Sequence, residues 1–309
     1  MSDVLELWEQ PDAENLYMIA GWRQWADAGS ISSGLPRYLI QETGAHKIGA
    51  LYSDDFYLFQ IPGTHDLVRP VVRFEEGYPE SLEERQNELY YTGDEKNGII
   101  IFLGDEPHLY IERYLGALLD TAQSLGVKRI IGLGGVYGEL PYDKERLVSS
   151  VYSVERLKPE LEALAVTLSD YHGGASIGSY LCRRAGDRDL EYVGFYGFVP
   201  TYDFSNVPQI GNAIRIENDY TAWLGVMRRL NYMLELDFDL ADLENKSERL
   251  VQVVDAKVEE LDDMAPQLEV RDYLARIEEE FTEVPFEPLD DVWEEELRRL
   301  FDEDSEAGD

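Results

Sequence analysis

The sequence predicts an α/β fold: a three-layer α/β/α sandwich around a mostly parallel or mixed sheet. Two fully apolar runs, at 99–103 and 130–133, have the length and composition of strands that are buried on both faces. Between them lies the clearest amphipathic helix of the chain, which Gly126 closes. Strand, helix and strand in this order form a crossover unit, so the two strands are expected to run parallel.

The elements that precede this unit are predicted from shorter patterns. Residues 16–20 form an apolar first strand, and Ser30 is a suitable N-cap for a helix that buries Ile31, Leu35 and Leu39. Further strands are predicted at 47–52, 55–60 and 67–74.

The elements that follow the unit alternate in the same way. The predicted strands are 147–153, 166–168 and 190–196, and the predicted helices are 159–165, a helix ending at Ala185, and a long helix that buries Tyr220, Trp223, Met227, Leu230 and Leu234. This alternation is typical of an α/β sheet covered by helices on both faces.

The composition changes after residue 236. Residues 241–309 contain 25 acidic and seven basic residues, a net charge of −18. Apolar positions from Leu243 to Leu261 predict an amphipathic helix, and two more helices are predicted at 268–281 and 292–301. We therefore expect a core domain at 1–236 and an acidic helical extension at 237–309, which docks on the core or on a neighbouring subunit and ends in a disordered tail.

The charge of the whole chain restricts its partners. With 27 basic and 63 acidic residues, the net charge of −36 argues against binding to nucleic acids and to anionic membranes. We interpret the acidity as a source of solubility, with a salt-adapted host or a basic partner as alternatives. A single cysteine, Cys182, and the lack of a signal-peptide or membrane-span pattern predict a cytoplasmic protein.

Glycine-rich loops that also contain aromatic or acidic residues follow four of the predicted strands, at 21–29, 104–108, 134–141 and 197–202. The strand at 130–133 is expected to end at Gly134, where glycines allow a positive φ or the close approach of another group. Because the carboxyl ends of parallel strands share one edge, this edge is the candidate functional face. The candidate binding residues are Trp22, Asp27, Gly134, Gly135, Glu139, Pro141, His172, Ser176 and Pro200.

Signals for catalysis and cofactors are incomplete. Gly174, Ser176 and Gly178 match a nucleophile elbow, but all four histidines precede Ser176, so we interpret this serine as a helix N-cap. The glycines at 132–138 depart from the dinucleotide fingerprint, and isolated Asp/His pairs do not make a metal site. We predict no catalytic residue, no metal and no cofactor.

At these loops the chain resembles the proteasome assembly chaperone 2 family. The resemblance rests on the order of Gly21-Trp22 with Ala26-Asp27-Ala28, then Gly134-Gly135 with Pro141, then Gly174, Ser176 and Gly178, then Val199-Pro200 with Tyr202. It implies a sandwich like that of purine nucleoside phosphorylases, homo-oligomers, and a role in assembling proteasome α-subunit rings. Archaeal members dock through a C-terminal hydrophobic-Tyr-any tripeptide, from which Ala307-Gly308-Asp309 departs.

Two hypotheses for function follow. The first is an oligomeric protein-interaction or assembly-chaperone-like protein with protein partners, because the chain lacks a complete catalytic constellation. The second is a nucleoside-phosphorylase-like enzyme or a small-ligand-binding protein, with Asp27, Glu139 and His172 around a pocket. Phosphorolysis requires a cationic phosphate site, and the loops offer few basic residues beyond Arg23.

Overall fold

A nine-stranded mixed sheet lies at the centre of the computed structural model, which describes residues 4–23, 25–52, 55–60, 69–202 and 214–286. The strands are β1 (Leu5–Leu7), β2 (Asn15–Arg23), β3 (His46–Leu51), β4 (Val71–Glu75), β5 (Tyr78–Glu83), β6 (Asn87–Gly93), β7 (Asn97–Asp105), β8 (Arg129–Gly138), β9 (Val148–Tyr152), β10 (Thr167–Leu168) and β11 (Glu191–Pro200). The sheet order is β1-β3-β6-β7-β2-β8-β11-β9-β10, and β4 and β5 form a separate hairpin.

The four central strands β7, β2, β8 and β11 run parallel. Ile19 of β2 pairs with Ile101 of β7 on one side and with Ile131 of β8 on the other, and Ile131 also pairs with Val193 of β11. These apolar side chains fill a sheet that is buried on both faces. The predicted crossover unit is confirmed, with β2 inserted between its two strands.

Helices cover both faces of the sheet. They are α1 (Gly34–Thr43), α2 (Ile111–Ser124), α3 (Lys158–Glu162), α4 (Ile177–Gly186), α5 (Tyr220–Leu234), α6 (Ala241–Met264) and α7 (Val270–Glu280). Apolar residues of α2 and α4 form one core with Met18, Phe102 and Tyr192, while α1, α3, α5 and α6 form the other with Ile19 and Phe195. The predicted three-layer α/β/α sandwich is therefore confirmed.

Strand β8 is longer than predicted. It continues through Gly134 and Gly135 to Gly138, because its ladder with β11 persists as far as the pair Gly138–Pro200. None of these glycines has a positive φ. Gly135 instead allows close approach: a Cβ there would lie 2.0 Å from the carbonyl oxygen of Ala28. Of the two explanations for these glycines, close approach is the correct one.

Several predictions in the N-terminal half are wrong. The segment 55–60 is not a strand, since Phe56 is buried in the core beside Tyr114 and its carbonyl accepts from the backbone of His108 and Leu109. Strands β5 and β6 were not predicted, and residues 67 and 68 of the strand predicted at 67–74 lie outside the described residues. Helix α1 begins after Ser33, not after Ser30.

The C-terminal helices pack on the core of the same chain. Leu243, Val254 and Leu261 of α6 belong to the hydrophobic cluster that contains α5. The division between residues 236 and 237 stays a prediction, and the third helix at 292–301 and the disordered tail lie outside the described residues. Within the described part of the chain, no helix combines the length and hydropathy needed to cross a membrane.

Candidate functional site

The carboxyl ends of the central strands meet at one edge of the sheet, as predicted. Trp22 near the end of β2 pairs with Gly104 of β7, and Pro200 at the end of β11 pairs with Gly138 of β8. The chain after β2 also forms an isolated parallel bridge between Asp27 and Gly135. The loops that the sequence singled out therefore belong to one surface.

A cavity of about 1180 Å³ opens at this edge. Its lining combines aromatic rings, hydroxyl groups and glycines with few charges. The lining residues are Trp25, Ala26, Asp27, Ala28, Gly29, Ser30, Gly135, Val136, Tyr137, Ser149, Val151, Ser169, Tyr171, Gly174, Ser176, Ser179, Tyr196, Phe198, Arg215, Glu217 and Asn218. Clefts of this size and composition commonly hold small ligands.

Three of the nine candidate residues line this cavity: Asp27, Gly135 and Ser176. The exposed His172 follows the lining residue Tyr171 but is not itself part of the lining. Glu139 is exposed and accepts a hydrogen bond of 2.7 Å from the hydroxyl of Tyr273 in α7.

The other four candidate residues are buried. Gly134 and Pro200 lie within the ladder of β8 and β11, and the carbonyl oxygen of Pro141 accepts a hydrogen bond from the guanidinium group of Arg146. Trp22 is only 2% exposed, and its indole N–H donates to the hydroxyl of Tyr114. These four residues lie in the interior of the protein beneath this edge of the sheet.

Trp25, three residues after Trp22, is the tryptophan on this face. It is 61% exposed and lines the cavity. No local signal separates the two tryptophans, because β2 is buried on both faces and Trp25 lies beyond its end at Arg23. Tyr196 also lines the cavity, and it lies inside β11, where no sequence motif marks it.

The carboxylate of Asp27 organises the turn that follows β2. One oxygen accepts from the backbone N–H groups of Ser32 and Ser33, and the other accepts from the Ser33 hydroxyl at 2.7 Å. Burial raises the pKa of Asp27, although these hydrogen bonds oppose the shift. Ala26 and Ser30 on either side have φ values of 53° and 51°, a left-handed backbone that the surrounding structure must hold in place.

A second carboxylate, that of Glu106, lies at the N-terminus of α4. It accepts a hydrogen bond of 2.8 Å from the backbone N–H of Ile177 and another from the backbone of Trp25. Burial raises the pKa of Glu106 as well. Ser176 is the N-cap of this helix, since its hydroxyl accepts from the N–H of Ser179. The interpretation of Ser176 as a cap is confirmed.

A third carboxylate, Asp219, caps α5. One oxygen accepts from the N–H of Ala222, and the other accepts from Nε of Arg146 at 2.9 Å, with both side chains fully buried. Glu106, which contacts the N-terminus of α4, and Asp219, the N-cap of α5, thus place an acidic group at two helix N-termini of this edge, and Asp27 accepts from the backbone just before α1. Helix N-termini of this kind otherwise bind phosphate.

The hydroxyl of Ser176 lacks the partners of a catalytic nucleophile within the described residues. Its hydrogen-bond partners among the described residues are Ser179 and the hydroxyl of Tyr196, at 3.3 Å, and neither is a histidine or a carboxylate that could act as a base. The described residues also contain no group of three or more His, Cys, Asp or Glu side chains placed to hold a metal ion.

Replacing Ser176 by alanine tests its role as a cap. We expect the Ser176→Ala variant to lose about 1 kcal/mol of stability, because the N–H of Ser179 loses its acceptor. Chemical denaturation would measure the loss. Ser149→Ala is the matched control, since Ser149 lines the same cavity and its hydroxyl has no partner among the described residues. Equal stability of the two variants would contradict the assignment.

Comparison with a family model settles the relationship of this chain to known proteins. The model of the PAC2 family matches residues 22–258, which is most of the chain. The chain belongs to the PAC2 family. This confirms the resemblance inferred from the loops, and the match extends from β2 into α6.

Solved structures share the PAC2 fold at low sequence identity. A proteasome-assembly chaperone homologue of Mycobacterium tuberculosis has a TM-score of 0.67 and 18% identity, over 78% of this chain and 94% of that one. A PAC2 family protein of Streptomyces avermitilis has a TM-score of 0.65 and 23% identity, and the match covers 78% of this chain and 95% of that one. PbaB, an archaeal proteasome activator of Pyrococcus furiosus, has a TM-score of 0.59 and 21% identity, and the match covers 82% of this chain and 97% of that one. No curated protein matches the chain.

Proposed function

We propose that this chain is an oligomeric protein-interaction protein of the assembly-chaperone type. Its membership of the PAC2 family supports the proposal, as does the fold shared with a proteasome-assembly chaperone homologue and an archaeal proteasome activator. The observation that carries the proposal is a hairpin that stands apart from the sheet with its apolar side chains exposed.

The hairpin of β4 and β5 forms a sheet of only two strands. Every residue of both strands is exposed, including Val71, Val72 and Leu82 and two large rings, Phe74 at 60% and Tyr78 at 73%. An isolated two-stranded sheet is marginally stable in water, and clustered exposed apolar side chains mark interaction surfaces. The hairpin therefore has the properties of an arm that packs on another protein surface, and we assign it to contact with a second copy of this chain.

The charge of the chain restricts the kind of partner that it can bind. A net charge of −36 disfavours nucleic acid and anionic membranes, because both would repel the chain. Partners other than a second copy are therefore proteins, and basic surfaces on them would speed association.

Small-ligand binding is the second candidate function, and the cavity at the sheet edge favours it. Its nucleoside-phosphorylase-like form has less support, because the acidic side chains of Glu106 and Asp219 already occupy two helix N-termini where phosphate would bind. A thermal-shift screen with nucleosides and phosphate tests it, and stabilisation that requires both ligands together would support phosphorolysis.

The hairpin proposal predicts a change in assembly. We expect the Phe74→Ser/Tyr78→Ser variant to form smaller oligomers than the wild type, because the change removes the two largest apolar contacts of the hairpin. Size-exclusion chromatography with light scattering would measure the molar mass. The variant should keep the folded core, since the hairpin is not part of the nine-stranded sheet, and its unfolding temperature should lose the dependence on protein concentration that assembly gives the wild type.

The control is Val253→Ser/Met264→Ser, which removes two exposed apolar side chains from α6 instead. Its molar mass should equal that of the wild type. Affinity capture from the host with mass spectrometry would then identify further partners, with the hairpin variant as a second bait. A wild type that is monomeric at high concentration and is captured without any partner would refute the proposal.

A further inference from the structure

Two partly buried carboxylates, those of Asp27 and Glu106, lie in or next to the lining of the cavity. Asp27 lines the cavity, and Glu106 accepts hydrogen bonds from the backbone of Ile177 and from that of Trp25, which is part of the lining. Within the described residues, neither forms an ion pair with a Lys, Arg or His side chain, and Arg37 acts on Asp27 only as the weakest influence on its pKa. A buried negative charge without a cation is costly.

Other buried carboxylates at this edge are compensated. Asp105 forms ion pairs with Arg23 at 2.6 Å and Arg85 at 3.2 Å, and Asp219 forms one with Arg146 at 2.9 Å. Of these four carboxylates, Asp27 and Glu106 are the two that form no ion pair with a described residue.

Aromatic rings line the same cavity. Five of them belong to the lining: Trp25, Tyr137, Tyr171, Tyr196 and Phe198. Tyr171 is 70% exposed and lies on the rim. Faces of aromatic rings attract ammonium and guanidinium groups, and together with a carboxylate they form a recurrent recognition site for organic cations.

The described lining of the cavity offers an anion no binding position comparable to the one that Asp27 and the aromatic rings offer a cation. Glu106 already accepts an N–H group at the N-terminus of α4, and Asp27 accepts the N–H groups of Ser32 and Ser33 just before α1. Among the described lining residues, Arg215 is the single cation and Glu217 lies two residues from it. The local charge therefore repels phosphate and carboxylate groups.

We propose that this cavity binds an organic cation, whose ammonium or guanidinium group lies against Asp27 and whose body packs on the aromatic rings of the lining. The source of the cation is a free amine or a basic side chain of another protein, and both present the same group. The inference goes beyond the proposed assembly role, because it concerns the sheet edge and does not depend on the hairpin.

Calorimetric titration of the full chain tests the proposal. The probes are agmatine and spermidine as free amines, a lysine- and arginine-rich peptide, inorganic phosphate, and an uncharged isostere of agmatine. An ionic strength of about 0.15 M screens the general surface charge. We expect saturable 1:1 binding of a free amine or of the peptide, and none of phosphate or the isostere. Binding of only the peptide assigns the cation to a protein partner.

Three variants locate the site. Asp27→Asn should weaken cation binding about tenfold or more, because a charge-assisted contact is lost. Tyr171→Ala removes an exposed ring without disturbing the core and should also weaken binding. Glu80→Gln, on the exposed hairpin, changes the net charge as Asp27→Asn does and should bind as the wild type. The proposal is overturned if no cation binds, if phosphate or the isostere binds equally, or if both Asp27→Asn and Tyr171→Ala bind with wild-type affinity.

Discussion

Gly135→Ala will destabilise the protein by about 3 kcal/mol, the upper part of the range for overpacked cores. The added Cβ would lie 2.0 Å from the carbonyl oxygen of Ala28, and that oxygen belongs to the backbone, so no side-chain rotation can relieve the contact. Relief requires the turn after β2 to move away, which breaks the hydrogen bond of 2.7 Å from the N–H of Gly135 to the carbonyl of Ala26. Urea denaturation would measure the loss.

Gly174→Ala is the control for this prediction. Gly174 lines the same cavity, but a Cβ there would meet no atom within 4 Å, so we expect wild-type stability. Since Asp27 lies in the turn that must move, Gly135→Ala should also weaken any ligand binding at the cavity. Wild-type stability of Gly135→Ala would mean that the turn and β8 do not approach each other as described.

Arg146→Ala should destabilise the protein by about 3–5 kcal/mol, the usual cost of removing one partner of a buried ion pair. The guanidinium contacts Asp219 at 2.9 Å and donates to the carbonyls of Pro141, Tyr142 and Lys144. Its removal leaves a buried charge at the N-terminus of α5 and three loop carbonyls without this donor. Thermal and chemical unfolding would measure the effect.

Two further variants separate charge from packing. Arg146→Met/Asp219→Asn removes both charges and should recover part of the stability, because no uncompensated charge remains. Arg156→Ala breaks exposed ion pairs with Asp189 and Glu191 and should leave stability almost unchanged. If Arg146→Ala were no more harmful than Arg156→Ala, the buried pair would not hold the loop to α5.

The central part of the fold was predictable because its signals are local. The apolar runs at 99–103 and 130–133 and the spacing of buried residues in α2 each lie within one element. Strand ends were not predictable in this way. Gly134 and Gly135 are common in turns, yet both stay in β8 because β11 pairs with them. Strands β5 and β6 lack a continuous apolar run, so only their pairing identifies them.

The candidate site was predicted in part. Asp27, Gly135 and Ser176 line the cavity, because loops that follow parallel strands meet at one edge. Trp22 is buried and Trp25 lines the cavity, a difference that the sequence does not show because β2 is buried on both faces and Trp25 lies beyond its end. The position of Glu106 at the N-terminus of α4 could not be inferred, since Ile177 is 71 residues away in the chain.

Local pattern was sufficient to establish the buried strands, the helices between them and the parallel arrangement that gathers the loops at one edge. Which side chains face the cavity, which carboxylates have a cation and which glycines admit another chain segment depended on the three-dimensional structure. The physical reason is that periodicity reports interactions within a few residues, whereas these contacts join segments far apart in the chain. Their distances follow from the strand order β7-β2-β8-β11, which connectivity alone does not determine.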